Sequence, residues 1–124
     1  MTLSLSGGVA LVWKDGKDYE VEEHRIYGPN VLAFQLVMGT DRYYCVGCYI
    51  PPSDLTALEH VKKAWSNCPT GARPLGVGDL NINLESPRDE RDARIAKQID
   101  HMDLTDMTQH FLQQRRRRTR GRWT

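Results

Sequence analysis

The sequence lacks any long apolar run. No stretch approaches the roughly 18 apolar residues that a membrane span needs. Residues 1–6 carry no basic segment followed by a long apolar one, so we expect no secretory signal and no membrane partner. The 124 residues, 40% hydrophobic and 27% charged, suffice for one domain or part of one.

Cysteine is scarce, and the three present make an odd count. Cys45 and Cys48 have the C-x-x-C spacing, but they lie in a strand-like segment, where residues three apart face opposite sides. Because no second such pair exists, we expect no zinc site. Cys45, Cys48 and Cys68 are better explained as buried free thiols in a reducing, intracellular compartment.

Acidic residues are missing from the carboxyl-terminal end, where arginine accumulates. All 16 acidic residues precede a segment, residues 113–124, that we call the arginine tail. Its arginines are Arg115, Arg116, Arg117, Arg118, Arg120 and Arg122. The tail carries +6 and residues 1–114 carry −5, so we expect nucleic-acid binding only through the tail. A nuclear-import signal, which implies a nuclear location, and a solvated tail are the alternatives.

Strand-like segments separated by glycine- and proline-containing turns fill the first half of the chain. The apolar run 9–13 predicts a strand covered on both faces. Segments 19–27, 31–38 and 42–50 are joined by short turns and predict an antiparallel meander, its first strand at the edge.

Helical patterns alternate with one more strand in the second half. Ser53 or Asp54 caps the first predicted helix, whose apolar face is formed by Leu55, Leu58, Val61 and Trp65. A buried strand with Leu75 and Val77 follows, parallel to 42–50 if the two are neighbours. A helix that begins at Ser86-Pro87 is predicted next, with apolar residues along one face. A short helical stretch follows it. The residues of that face are Ala93, Ala96, Ile99 and Met102, and those of the last stretch are Leu104, Met107 and Phe111. The order predicts an α/β fold.

The segment Gly78-Asp79-Leu80-Asn81 follows the predicted second-half strand. If the backbone stays extended through Leu80, Asp79 and Asn81 project from one face. An acid and an amide at a strand end suit the handling of water, metal and phosphate. An ordinary strand-to-loop turn is the alternative, since Gly, Asp and Asn are common turn residues.

Four short motifs occur in an order that resembles a known superfamily. They are Gly7-Gly8-Val9-Ala10, Tyr49-Ile50-Pro51-Pro52, Gly78-Asp79-Leu80-Asn81 and Arg122-Trp123-Thr124. Together they resemble the endonuclease/exonuclease/phosphatase superfamily, the fold of deoxyribonuclease I, and look most like the endonuclease region of non-LTR (LINE-type) retrotransposon polyproteins. The resemblance implies a partial four-layered α/β sandwich, about the middle half of the family's domain, over residues 1–112. Residues 113–124 would be an arginine-rich tail or loop.

The resemblance also implies a chemistry, the magnesium-dependent cleavage of a DNA phosphodiester. In this cleavage Asp79 would orient or deprotonate the attacking water. Asn81 would hold that arrangement and contact metal or phosphate, and Tyr49 would donate a hydrogen bond to a phosphate oxygen. The family's metal-binding glutamate would lie before Gly7, and its closing serine–aspartate–histidine element after Thr124. We therefore expect a domain truncated at both ends, inactive alone and not a Mg²⁺ binder by itself. In addition, Pro52 stands where the repair enzymes have asparagine.

Two other functions remain open at this point. One is a non-catalytic module that binds nucleic acid or a protein partner through the arginine tail and an exposed sheet. An uncovered sheet face would also favour self-association. The other is hydrolysis of phosphoinositides or sphingomyelin, as in some relatives, although no lipid-facing apolar patch is visible in the sequence.

Overall fold

The computed structural model describes residues 2–4, 8–16, 18–52, 55–82 and 88–102. The chain divides into two compact units, residues 1–83 and 84–124. The elements are β1 (Thr2–Ser4), β2 (Ala10–Val12), β3 (Glu20–Gly28), β4 (Val31–Met38), β5 (Asp41–Tyr49), α1 (Thr56–Ser66), β6 (Arg73–Asp79) and α2 (Glu90–His101). The fold class is α/β, with a four-stranded mixed sheet in the order β3-β4-β5-β6 and a separate β1-β2 pair.

The meander predicted from the turns is confirmed in β3, β4 and β5, which pair antiparallel in chain order. Each strand begins and ends within one residue of its predicted bounds. β4 lies in the interior of the sheet, and its residues Val31, Leu32 and Ala33 are fully buried. The pairing of β5 with β6 is parallel, as expected for a strand–helix–strand connection between neighbours.

One face of the sheet packs against α1. The hydroxyl of Tyr44 donates to the carbonyl of Ala64 at 2.6 Å and so ties β5 to the helix. The buried residues of α1 are Ala57, Leu58, Val61 and Ala64. This differs from the predicted apolar face, because small alanines bring the helix close to the sheet while Leu55 and Trp65 lie half-buried at its ends.

The cap of α1 also differs from the prediction. The residue at the N-cap is Leu55, which makes no side-chain capping hydrogen bond. Ser53 and Asp54 lie outside the described residues. The free thiols of Cys45 and Cys48 are buried, as predicted, whereas Cys68 is only half-buried.

The prediction of a buried β6 is wrong. Leu75 is 40% exposed and Val77 52% exposed. The parallel register aligns Tyr44 with Pro74 and Val46 with Gly76, so the face of β6 toward α1 carries proline and glycine. The apolar side chains point to the opposite face. The alternation of Leu75 and Val77 is that of a strand, and β6 is one. It is the last strand of the sheet within the described residues, so the alternation does not imply burial.

The second unit contains α2, which begins later than predicted. Asp89 caps it, accepting a hydrogen bond from the backbone N–H of Asp92 at 2.8 Å. Residues 86 and 87 lie outside the described part of the chain, as do Leu104, Met107 and Phe111. The predicted apolar face is wrong at Ala93, which is exposed, whereas Asp92 and Ile95 are buried.

A buried carboxylate is tolerated in α2 because it is paired. Asp92 Oδ2 accepts hydrogen bonds from the backbone N–H of Arg88 at 3.0 Å and from its Nε at 2.9 Å. The guanidinium of Arg91 lies 3.5 Å from Oδ1. These contacts, those of Arg88 first, hold the pKa of Asp92 below its usual value. In the part of the chain that is described, no helix is long and apolar enough to cross a membrane.

Candidate functional site

The carboxyl ends of β5 and β6 lie side by side and bring two of the predicted site residues together. Tyr49 is the register partner of Asp79. The ladder continues one residue further, where the N–H of Ile50 donates to the carbonyl of Asp79 at 2.9 Å. Aligned residues of neighbouring strands project from the same face, so Tyr49 and Asp79 flank one position at the sheet edge. Asp79 is exposed and Tyr49 half-buried.

Glycine at position 78 makes this approach of the two strands feasible. Its φ is +150°, a conformation that side-chain-bearing residues rarely adopt. A Cβ placed there would lie 1.8 Å from the carbonyl oxygen of Cys48. Any larger residue would push β6 away from β5, and Asp79 would move with it.

Asn81 reaches the same strand end by a different route from the one predicted. The strand stops at Asp79, and Asn81 has a φ of +52° rather than an extended backbone. Its backbone N–H donates to Asp79 Oδ1 at 2.9 Å, and its side-chain amide donates to the carbonyl of Ile50 at 2.9 Å. The prediction of an extended backbone is therefore wrong. Asn81 fastens the end of β6 to that of β5 and orients the Asp79 carboxylate.

The carboxylate of Asp79 also affects the thiol of Cys48. Burial, and then the negative charge of Asp79, raise the pKa of Cys48 to about 11. The thiol is therefore neutral at pH 7 and offers no thiolate for nucleophilic attack.

Two further residues, Asn30 and Gly8, lie at this strand end, and neither was predicted as a site residue. The N–H of Tyr49 donates to the carbonyl of Asn30 at 2.9 Å. Asn30 Oδ1 is buried and has no hydrogen-bond partner among the described residues. A Cβ on Gly8 would lie 3.3 Å from Tyr49 Cδ2 and 3.7 Å from Asn30 Oδ1. Because Gly8 has no side chain, its main chain can pass close to both residues.

The sequence held a signal for only one of these two residues. Gly8 belongs to the first of the four matched motifs. Asn30 follows Gly28-Pro29, a combination that indicates a turn and nothing more. Three of the four motifs therefore meet at one place, and the fourth, with the tail arginines Arg115, Arg116, Arg117, Arg118, Arg120 and Arg122, lies outside the described residues.

These side chains do not amount to a complete magnesium site. In the described ranges, no group of three or more His, Cys, Asp and Glu residues is placed to hold a metal ion. Asp79 and Asn81 supply two kinds of oxygen ligand at most, whereas Mg²⁺ takes near-octahedral oxygen coordination. The described residues therefore do not fit this ion without further ligands.

No protein-family model matches the sequence, and no curated protein matches it. The function of the strand end therefore has to be inferred from its own geometry and chemistry.

Proposed function

We propose that the chain is a piece of a metal-dependent phosphodiesterase domain of the endonuclease/exonuclease/phosphatase type, with DNA as its substrate class, and that it does not cleave DNA alone. The observation that carries the proposal is the convergence of Gly8, Tyr49 and the Asp79–Asn81 segment at the carboxyl ends of two parallel strands. In α/β sheets this end is the usual place for ligands. A four-layered sandwich is the fold that the proposal implies for the complete domain.

Each side chain has a role that its environment supports. The exposed carboxylate of Asp79 is available to orient or deprotonate a water molecule, and Asn81 holds it through its backbone N–H. The hydroxyl of Tyr49, on the same face, suits donation to a phosphate oxygen. Gly8 lets the main chain pass close beside the Tyr49 ring, where a Cβ would lie 3.3 Å from Cδ2.

The same residues explain why the chain alone should be inactive. General acid–base assistance is worth about 10²–10⁴-fold, and among the described residues Asp79 belongs to no group of three or more His, Cys, Asp and Glu side chains that could hold a metal ion. Magnesium is expected to bind only where further segments supply the missing oxygen ligands.

Plasmid nicking tests this proposal. The purified chain and its Asp79→Ala variant are each incubated with supercoiled plasmid and MgCl₂. We expect no nicking by either protein. Nicking that disappears in the variant would confirm the site and overturn the claim of inactivity, and equal nicking by both would place any activity elsewhere.

A second candidate function, a non-catalytic interaction module, is favoured by the exposed face of β6. Leu75 and Val77 are adjacent on that face, and β6 ends the described sheet. An exposed apolar strand at a sheet edge is a template for pairing with another chain. Self-association through β6 and nucleic-acid binding through the arginine tail are the two activities that this function predicts.

Both activities can be measured directly. Sedimentation velocity should show a concentration-dependent larger species that Val77→Lys removes and that Val12→Lys, at a 68% exposed residue of β2, leaves unchanged. In gel shifts, replacing the tail arginines with glutamine should weaken DNA binding and flatten its salt dependence, whose slope is about −0.9 per neutralised phosphate. A monomer with salt-independent DNA binding would exclude this function.

A further inference from the structure

An aromatic and acidic cleft lies where the loop after β2 leads into β3, within the first unit. It has a volume of about 240 Å³. Two aromatic side chains, Trp13 and Tyr19, line it together with the carboxylates of Asp15, Glu20 and Glu22. None of these residues belongs to the Tyr49–Asp79 strand end, so the cleft is a separate feature of the surface.

The Tyr19 wall of the cleft is fixed in place. The Tyr19 hydroxyl donates to the carbonyl of Lys14 across the loop. Its ring lies directly against Gly16, where a Cβ would come within 2.5 Å of Tyr19 Cε1. Because residue 16 has no side chain, the ring can lie this close to the loop, and the wall exists before any ligand binds.

The charge of the cleft is negative. Glu22 is neutralised by the Arg42 guanidinium at 3.0 Å. Asp15 and Glu20 take part in none of the ion pairs found among the described residues. Residues 1–83, the unit that contains the cleft, carry seven basic and nine acidic residues, so the net charge of the unit is −2 and has the same sign as the cleft.

We propose that this cleft binds the guanidinium group of an arginine side chain in a basic peptide. A guanidinium stacks on aromatic rings and also pairs with carboxylates through its fork of N–H donors, and the cleft offers both. Its volume is below the roughly 300–1,000 Å³ of sites that enclose whole small molecules, which suits one side chain. This binding is independent of the proposed phosphodiesterase origin.

An NMR titration tests the proposal on the intact, isotope-labelled chain. The probes are the peptides acetyl-Gly-Arg-Gly-amide and acetyl-Gly-Lys-Gly-amide, and the readouts are the indole N–H shift of Trp13 and the dissociation constant. We expect millimolar binding of the arginine peptide, several-fold tighter than that of the lysine peptide. Equal affinity for the two peptides, or no shift of Trp13 in the millimolar range, would overturn the proposal.

Matched variants locate the binding. Glu20→Gln and Asp15→Asn should each weaken the arginine peptide about three- to tenfold, the scale of one lost charged contact. Asp18→Asn removes the same charge from an exposed residue nearby that is not among the lining residues, and it should leave affinity unchanged. If Asp18→Asn weakened the binding of the arginine peptide as much as Glu20→Gln does, the loss would follow from the total charge of the protein. That result would contradict specific binding in the cleft. Circular dichroism of each variant confirms that the fold is retained.

Discussion

Replacing Gly78 with alanine is the sharpest test of how β5 and β6 meet. The alanine Cβ would lie 1.8 Å from the Cys48 carbonyl oxygen, 2.8 Å from its carbonyl carbon and 3.0 Å from its nitrogen. All three are backbone atoms, so no side-chain rotation relieves the overlap. The φ of +150° adds a second penalty. The strand therefore has to separate from β5 at the point where Asp79 meets Tyr49.

The expected cost follows from these two effects. A non-glycine residue forced into such a conformation costs about 1–3 kcal/mol. Overpacking against fixed atoms costs about 1–3 kcal/mol more. We expect Gly78→Ala to lower the free energy of unfolding by about 2–6 kcal/mol, a large part of the roughly 5–15 kcal/mol that holds a typical protein folded.

The same strand offers a matched control at Gly76. A Cβ at Gly76 would lie 3.7 Å from the Trp65 ring, an ordinary contact, and its φ is not positive. Gly76→Ala should therefore be neutral, or stabilising by up to about 1 kcal/mol through the unfolded chain. Urea unfolding followed by circular dichroism measures both variants at equal m values. If the two variants differ by less than about 1 kcal/mol, the close approach of the strands is wrong, and so is the placement of Asp79.

Three further predictions concern single side chains. Asn81→Ala removes the amide donor to the Ile50 carbonyl and also places alanine at a φ of +52°, so it should lower the free energy of unfolding by about 2–3 kcal/mol. Asn81→Asp keeps a side chain that tolerates this φ but turns an acceptor toward the carbonyl, and it should also destabilise the chain. Urea unfolding measures both variants, and an unchanged stability of Asn81→Asp would contradict the hydrogen bond. The pKa of Asp92 should lie below 3.8 in an NMR titration and should rise in Arg88→Gln, and an unchanged pKa in the variant would refute the pairing. Because the pKa is depressed in the folded state, the stabilisation by ionised Asp92 is present above about pH 4 and is lost as the pH falls through the folded-state pKa. In the native chain at pH 8, Cys68 should react with a thiol reagent before Cys48, because Cys48 is more deeply buried and has a pKa of about 11. Mass spectrometry of the labelled peptides measures the order, and earlier labelling of Cys48 would contradict the prediction.

The sequence predicts best where local pattern and local structure coincide. β3, β4 and β5 follow from alternating and continuous apolar runs bounded by Gly-Pro-Asn and Gly-Thr turns. The parallel neighbour of β5 follows from a strand–helix–strand order in which Pro51-Pro52 stops the sheet. Of the separate β1-β2 pair, β2 was predicted, from the apolar run 9–13. The predicted cover on both of its faces is wrong, because Val12 is 68% exposed. β1 was not predicted, because a strand of three residues is too short to show a period.

Burial was the harder property to predict, since a period does not reveal what covers a face. Leu75 and Val77 alternate as in a buried strand, yet both are exposed in β6. In α1 the alanines 57 and 64 are buried ahead of the larger Trp65, because close packing on the sheet favours small residues. Asp92 is buried in α2 only because Arg88 pairs with it, a contact that no hydrophobic pattern records.

The candidate site was predictable in part. Tyr49 and Asp79 were chosen from their motifs, and the register brings them together. The conformation of Asn81 was not predictable, because the hydrogen bond from its side-chain amide to the carbonyl of Ile50 forms only when the end of β5 lies beside it. Asn30 was missed because a turn residue far away in sequence gives no sign that its carbonyl accepts from Tyr49.

Plasmid nicking by a completed domain would show whether the Tyr49–Asp79 strand end is a phosphodiesterase site. The chain is fused to the amino- and carboxyl-terminal segments of a LINE-type endonuclease, which supply the metal-binding glutamate and the histidine element. We expect magnesium-dependent nicking that Asp79→Ala abolishes and that Asp41→Ala, at an exposed aspartate at the far end of β5, leaves intact. A folded fusion that does not nick, or that nicks equally well without Asp79, would contradict the claim that this strand end is a phosphodiesterase site.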